Sequence, residues 1–170
     1  MKCGIYVRLY NEKNIIEWME YHYKCGFDFI LFYDDYSEPS VKSIIEDYGK
    51  FDKNKYLVLE RLFPKIGTTK ISCGLCPKIF KETFLPYIQK HMDYVLYIDM
   101  DEYLYMDKFN SIQELIKSYG DFDMLYIYWK YFGSQNKKSN NNEKLLNNYT
   151  FSYNNISHCG KSLCKVKSIK

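Results

Sequence analysis

Short apolar runs alternate with segments of helical spacing along most of the chain. Apolar strands are predicted at residues 5–9, 27–33, 56–59, 94–98 and 123–129. Apolar side chains recur at helical spacing between them, near residues 15–23, 41–48, 78–91 and 111–118. Strands that are apolar throughout and alternate with helices are typical of a parallel sheet covered on both faces. The pattern therefore predicts an α/β fold.

Residues that start or stop helices support these boundaries. Asn11 and Glu12 suit the start of the first helix, and Gly26 suits its end. Pro86 is predicted to kink the third helix. Beyond Gly133 the pattern fades, and residues 134–148, which are rich in Asn and Lys, are predicted to form a mobile loop.

Three acids follow the predicted strand in VLYIDMDEYLY, which begins at residue 95. If the chain stays extended there, Asp99 and Asp101 lie on one side and repel each other unless a cation lies between them. Such carboxylates suit a hard divalent cation, whose other ligands are usually substrate phosphates. The alternative is a solvated turn, which is common after a strand. Because ligands gather at the carboxyl ends of parallel strands, the acids of YDDYS and DMDEY are expected to face one crevice.

Composition narrows the class of protein. The chain has 170 residues, which suits one domain, and its net charge is only +3, so no nucleic-acid partner is expected. Its 19 Tyr and 11 Phe accompany abundant Lys, Asn and Ile, a usage typical of AT-rich coding. The N-terminal MKCGIYVRLYNE has no long apolar stretch, so we expect no membrane segment and a cytoplasmic protein.

The six cysteines offer an alternative function. In a reducing compartment they are expected to be thiols. Cys73 and Cys76 form a C-x-x-C ahead of a predicted helix, as in thioredoxin-like redox sites. A zinc site would need two further ligands, for which His158, Cys159 and Cys164 are present at irregular spacing. A redox or zinc-binding domain therefore remains an alternative.

Four segments, taken in order, resemble the GT-A glycosyltransferases of families 2 and 92. NEKNIIEWMEYHYKCGFDFILFYDDYSEPSV resembles their first segment, with its Asn-Glu pair, a helix that reads IxEWxxYH and an Asp-rich turn ending in Ser. YVLYIDMDEYL resembles their Asp-x-Asp-Glu motif, IYWKYFGS the segment after it, and GKSLCKVKS a later Lys-Ser stretch. The resemblance implies one GT-A domain over residues 1–170, with a Rossmann-like, mostly parallel sheet flanked by helices.

The resemblance also implies a reaction. A sugar is expected to move from a nucleotide-diphosphate donor, a UDP-sugar, to a hydroxyl of a glycan or protein acceptor, with inversion. The implied cofactor is Mn or Mg. Asp99 and Asp101 match the metal motif, with Asp101 as the expected direct ligand and Glu102 orienting the pair.

The residues expected to bind the donor are Arg8, Asn11, Glu12, Asp34, Asp35, Asp99 and Lys161. The first three match a loop that lies along the nucleoside in the resembled families. Asp34 and Asp35 match the Asp-rich turn, where a carboxylate can accept a hydrogen bond from the uracil ring N–H. Lys161 suits the donor diphosphate. Because Lys165, Lys167 and Lys170 lie near it, a nucleic-acid-binding module is a further alternative.

The catalytic base is unassigned. Members of these families continue past the Lys-Ser stretch and carry a later His or acid there, so this chain is expected to lack that part. His158 is the candidate within the chain, with Glu143 as a second. His22 and Trp18 are expected in the core, and Trp129, at a strand end, is expected to line the acceptor side.

Overall fold

The structure is a computed structural model that describes residues 1–60, 80–133, 144–152 and 157–169. Its strands are β1 (Cys3–Leu9), β2 (Phe29–Asp34), β3 (Tyr56–Glu60), β4 (Tyr94–Tyr97), β5 (Met124–Tyr128), β6 (Phe132–Gly133), β7 (Phe151–Ser152) and β8 (Gly160–Lys165). Its α-helices are α1 (Ile15–Lys24), α2 (Val41–Tyr48), α3 (Leu85–His91), α4 (Ile112–Tyr119) and α5 (Leu145–Asn148).

A six-stranded sheet with the order β3-β2-β1-β4-β8-β5 organises the chain. Strand β1 pairs in parallel with β2 and β4, and β2 pairs in parallel with β3. Strand β8 is antiparallel to both of its neighbours, β4 and β5. The predicted α/β fold with a mostly parallel sheet is confirmed. The antiparallel insertion of β8 was not predicted.

Helices cover both faces of the sheet around β1 and β2, which is why all six residues of β2 are buried. On one face, α1, α2 and α4 pack against Ile5 and Phe32. On the other face, α3 packs against Leu31, and the Phe84 ring before α3 lies 5.0 Å from that of Tyr6. Each large apolar side chain buried in this way contributes about 1.5–3 kcal/mol.

Local signals explain where the helices begin and end. The Ser40 hydroxyl accepts a hydrogen bond from the Ser43 N–H at 3.2 Å, and Gly49, at φ 67°, ends α2 in the left-handed conformation that glycine tolerates best. The Ser111 hydroxyl caps α4 in the same way by accepting from the Glu114 N–H. The observed helix α2 therefore has the bounds that were predicted, 41–48.

Two regions differ from the expectation. Residues Phe80–Phe84 are π-helical and run directly into α3, and Pro86 lies in the first α-helical turn, where its missing N–H is tolerated. Within the predicted loop at 134–148, residues 134–143 lie outside the described residues, whereas Leu145–Asn148 form α5. Among the described residues, no helix is both long enough and apolar enough to cross a bilayer.

Candidate functional site

The carboxyl ends of β1, β2 and β4 meet at one edge of the sheet because these strands are parallel neighbours. The segments that leave this edge are residues 10–14, 35–40 and 98–111. They hold most of the acids that the sequence singled out, in agreement with the rule for ligand sites in open α/β sheets.

Residues Asp99 to Glu102 form a hydrogen-bonded turn, which we call the acid turn. The Glu102 N–H donates to the Asp99 carbonyl at 3.1 Å, and the Asp99 N–H donates to Glu102 Oε2 at 2.8 Å. The chain is therefore a turn, and not extended, at Asp99 and Asp101, so the strand period does not place these two carboxylates on one side. The Glu102 carboxylate fixes this turn from within, and Asp101 is exposed at its tip.

Lys161 provides the positive charge of the acid turn. Its Nζ lies 2.5 Å from Asp99 Oδ2 and 3.6 Å from Glu102 Oε2, and only 15% of its side chain is exposed. The same ammonium lies 5.0 Å from the centre of the Tyr97 ring and 5.5 Å from that of Trp129. Burial alone would lower the pKa of Lys161, but the hydrogen bond to Asp99 and the charge of Glu102 outweigh burial and raise it. Lys161 is therefore a charged group at neutral pH.

The register of β8 brings Lys161 to this place. Gly160 pairs with Tyr128, and a Cβ at Gly160 would lie 2.0 Å from the Ile127 carbonyl oxygen. Only glycine permits the two backbones to approach this closely. Because β8 is antiparallel to β4, the start of β8 lies beside the end of β4, where Asp99 follows.

Glu12 faces the acid turn from the loop after β1. Burial raises the pKa of Glu12, and the negative charges of Asp101 and Asp99 raise it further. Burial likewise raises the pKa of Glu102, against the effects of the Asp99 N–H and Lys161. Carboxylates from two different strand ends therefore repel one another here. This proximity of Glu12 and Asp101 was not visible in the sequence.

Two predicted donor residues hold the loops after β1 and β2 together. Asp34 is 1% exposed, and its carboxylate accepts hydrogen bonds from the N–H groups of Ser37 and Val41, both at 2.9 Å. Asn11 adopts φ 53°, its N–H donates to the Ser37 hydroxyl, and its side-chain oxygen accepts from the Glu38 N–H. These contacts give Asp34 and Asn11 a role in shaping the loops.

The other two predicted donor residues, Arg8 and Asp35, form an ion pair at the rim of this edge. Arg8 also lies over the Tyr33 ring, 5.8 Å from its centre. Tyr97 lies between this pair and the acid turn. Burial and the charge of Asp99 raise the pKa of Tyr97, whereas Lys161 and Arg8 lower it. Tyr97 is 42% exposed and was not predicted as a site residue, although its place just before Asp99 is a signal that the sequence does contain.

The remaining candidates lie in the core, at the surface or outside the described residues. Trp18 and His22 are fully buried, which confirms that both belong to the core. His158 is exposed in a segment that pairs with Trp129, because the Ser157 N–H donates to the Trp129 carbonyl and the Trp129 N–H donates to the Cys159 carbonyl. Cys73, Cys76 and Glu143 lie outside the described residues.

The mostly parallel sheet with helices on both faces agrees with a Rossmann-like GT-A fold. The model of glycosyltransferase family 92 matches residues 3–70 and 85–170. The chain belongs to this family and is a glycosyltransferase, as the four resembling segments indicated. A search of curated proteins found none that matches the chain significantly.

The carboxylates at this edge of the sheet can supply only part of the ligand shell of a divalent metal ion. Over the described ranges, no three His, Cys, Asp or Glu side chains converge closely enough to enclose an ion. Asp99 is neutralised by Lys161, whereas Asp101 is exposed at the tip of the turn. The residues therefore fit a Mg or Mn ion that takes one or two carboxylates and completes its shell with phosphate oxygens and water. They do not form a cage made of protein ligands alone.

Proposed function

We propose that this glycosyltransferase uses a UDP-sugar and a Mn or Mg ion, and transfers the sugar with inversion to a hydroxyl of a glycan or protein acceptor. Membership of the family supports sugar transfer in general. The choice of donor, the metal and the inversion are our proposal. The main support for the metal is that the exposed Asp101 carboxylate lies close enough to Glu12 to raise the Glu12 pKa, together with burial and Asp99, at the carboxyl end of the sheet.

The metal would be held mainly by Asp101. Lys161 pairs with Asp99 and Glu102, whereas Asp101 is exposed at the tip of the turn, where a cation would offset its negative charge. Glu12 faces the same charge from across the crevice and is a candidate for the second carboxylate. When bound, the ion would act as a Lewis acid on the departing diphosphate.

Lys161 would bind the diphosphate from the other side. Its ammonium is held by Asp99, Glu102 and two aromatic rings, so it is oriented before any ligand arrives. A charge-assisted contact from such a fixed group stabilises charge that grows on the leaving diphosphate. The rings of Tyr97 and Trp129 exclude water from one side of the ammonium.

The nucleoside would lie along the loops after β1 and β2. Asp35 and Arg8 are partly exposed there, with 25% and 22% of their side chains accessible. The Asp35 carboxylate would accept the uracil N–H, while Asp34 and Asn11 keep the two loops in place from below. Adenine has no ring N–H at the equivalent edge, so this contact favours uridine over adenosine.

Transfer with inversion needs one direct displacement. An oxygen of the acceptor hydroxyl forms a bond to the anomeric carbon while the bond from that carbon to the diphosphate oxygen breaks. The hydroxyl proton goes to a base, and the diphosphate leaves with the bonding electron pair. His158, beside Trp129, is our candidate for that base.

A thermal-shift panel with UDP, GDP and ADP, each with and without Mn, tests this function. We expect UDP with Mn to raise the melting temperature most, because a ligand that binds only the native state stabilises it. Mn alone should have a small effect, since the shell needs phosphate oxygens. Equal shifts with all three nucleotides would contradict the uridine assignment. Equal shifts with UDP in Mn and in EDTA would contradict the metal.

A further inference from the structure

The helix α1 carries four polar side chains whose purpose the proposed reaction does not explain. They belong to the stretch IIEWMEYH and are Glu17, Trp18, Tyr21 and His22. Trp18, Tyr21 and His22 are three and four residues apart, so they lie on one face of the helix. Each of the four makes a hydrogen bond to the backbone of a segment more than 80 residues away.

Three of these bonds reach the last residue of the acid turn or the segment that follows it. The Trp18 indole N–H donates to the Glu102 carbonyl at 2.8 Å, and the Tyr21 hydroxyl donates to the Leu104 carbonyl at 2.8 Å. The Leu104 N–H points at His22 Nε2, with a longer distance of 3.4 Å. Residues Glu102 and Leu104 are thus held through their backbone, whatever their side chains do.

The tautomer of His22 follows from its partners. Nδ1 lies 2.9 Å from the Trp18 carbonyl, which only accepts, so Nδ1 carries the proton and Nε2 is free to accept from Leu104. The ring is fully buried and stacks at 19° on the Tyr103 ring. His22 therefore serves as a neutral connector between α1 and the chain after the acid turn.

We infer that Trp18, Tyr21 and His22 are positioning residues that hold the acid turn in its place against Lys161. Glu102 connects the side chains of α1 to Asp99 and Lys161. Its carbonyl accepts from Trp18, its N–H closes the acid turn on Asp99, and its carboxylate accepts from the Asp99 N–H and lies 3.6 Å from Lys161 Nζ. A shift of the Glu102 backbone would therefore move Asp99 and Asp101 together.

Glu17 links α1 to a second distant segment, again through hydrogen bonds to its backbone. Its carboxylate accepts hydrogen bonds from the N–H groups of Leu145 at 2.9 Å and Leu146 at 3.3 Å, at the start of α5. Besides burial, the Glu17 charge also helps to raise the pKa of Tyr103, which directly follows the acid turn. Glu17 therefore connects α1 to α5. The importance of the positioning for metal and diphosphate rests on the function proposed above.

The sharpest test compares two tyrosines on α1. Tyr21 and Tyr23 each donate a hydroxyl hydrogen bond to a distant carbonyl, Tyr21 to Leu104 at 2.8 Å and Tyr23 to Lys55 at 3.0 Å. Tyr21→Phe and Tyr23→Phe remove one hydroxyl each from the same helix. Only the first change touches the chain after the acid turn. Both retain the ring and are expected to fold.

The measurement is native-state amide exchange by NMR. In Tyr21→Phe we expect the Glu102 and Leu104 amides to exchange about fivefold faster, the change expected for the loss of one neutral hydrogen bond. In Tyr23→Phe the same amides should exchange as in the wild type, and the amide of Leu31 in β2 should be unaffected by either change. Equal acceleration at Leu31 and Glu102 would mean that Tyr21 adds only to global stability, and would overturn the inference.

Calorimetry of Mn binding in the presence of UDP supplies the second arm. Tyr21→Phe should weaken Mn affinity about fivefold if the turn geometry matters, whereas Tyr23→Phe should leave it unchanged. Unchanged affinity in both variants would overturn the positioning role. If the wild type itself binds no Mn with UDP, the proposed function fails, and the exchange data still decide whether α1 holds the turn.

Discussion

The ammonium of Lys161 lies 2.5 Å from the Asp99 carboxylate, although 62 residues separate them along the chain. Asp99 follows the parallel strand β4, and Lys161 lies near the start of the antiparallel strand β8. The contact divides the acids at this edge of the sheet into two kinds. Asp99 and Glu102 share a cation that the protein provides, whereas Asp101 and Glu12 face each other with their charges less compensated.

Removal of the Lys161 charge should weaken diphosphate binding. In Lys161→Gln, the affinity for UDP should fall about 10- to 100-fold, as expected for a lost charge-assisted hydrogen bond. Lys165→Gln is the matched control, because Lys165 lies on the same strand and pairs with the exposed Asp121. Calorimetry at low and at physiological salt measures both. A loss of similar size in the two variants would mean that Lys161 affects UDP binding only through the net charge of the protein.

The Asp101→Asn substitution should have opposite effects with and without metal. Without metal, the folded-state pKa of Glu12 is raised, partly by Asp101, so the repulsion is absent at low pH and grows as the pH rises through that pKa. The substitution should therefore raise the melting temperature at pH 7 by about 1–2 °C in EDTA. This gain should shrink towards pH 4.

With Mn and UDP present, the same Asp101→Asn variant should lose the metal-dependent part of the thermal shift. Asp107→Asn, which removes an exposed charge a few residues further on, is the control and should keep that shift. If Asp101→Asn binds Mn and UDP as tightly as the wild type does, Asp101 is not a metal ligand.

The sequence predicted local structure but not the pairing between distant segments. The strand at 94–98 and the helix at 41–48 were predictable, because an apolar run or a cap such as Ser40 acts within a few residues. The place of β8 between β4 and β5 was not, since strand order depends on contacts far apart in the sequence. Lys161 was therefore predicted as a donor residue without its partner Asp99. The backbone role of Asp34 was hidden for the same reason.

Replacement of Asp35 by Ala should change the preference for the base. The lost carboxylate acceptor is specific to uracil, whereas the diphosphate contacts are shared by all nucleotides, so UDP should lose more affinity than ADP. The expected difference is about 1–2 kcal/mol, or roughly 5- to 30-fold. Asp35 is also the partner of Arg8, so some loss for both nucleotides is expected. Losses of equal size for UDP and ADP would indicate that Asp35 only orders Arg8.

His22 should make the protein sensitive to mild acid. Burial lowers the pKa of His22 from 6.5 to about 4. The unfolded chain therefore binds a proton that the folded chain does not between these two values, and stability falls as the pH drops from about 6.5 to about 4. The stability lost over this pH range is on the order of 3 kcal/mol.

Urea unfolding of the wild type and of His22→Gln across this range measures that contribution. The difference in unfolding free energy between the two proteins should narrow as the pH falls, because Gln does not titrate. An NMR titration of the imidazole checks the pKa directly. A difference that stays constant from pH 7 to pH 4 would show that His22 does not carry the acid sensitivity.

His158 should affect transfer without affecting donor binding. The backbone on both sides of His158 pairs with Trp129, whose ring lies over the Lys161 ammonium. A general base contributes about 10²- to 10⁴-fold to the rate. His158→Ala should therefore slow the transfer of a radiolabelled sugar by at least about 100-fold, with the UDP affinity unchanged. His91→Ala is the control, since His91 stacks on Phe29 at the start of β2, the opposite edge of the sheet. Brisk transfer by His158→Ala would place the base elsewhere, and so would a wild-type chain that binds UDP and Mn but transfers no sugar.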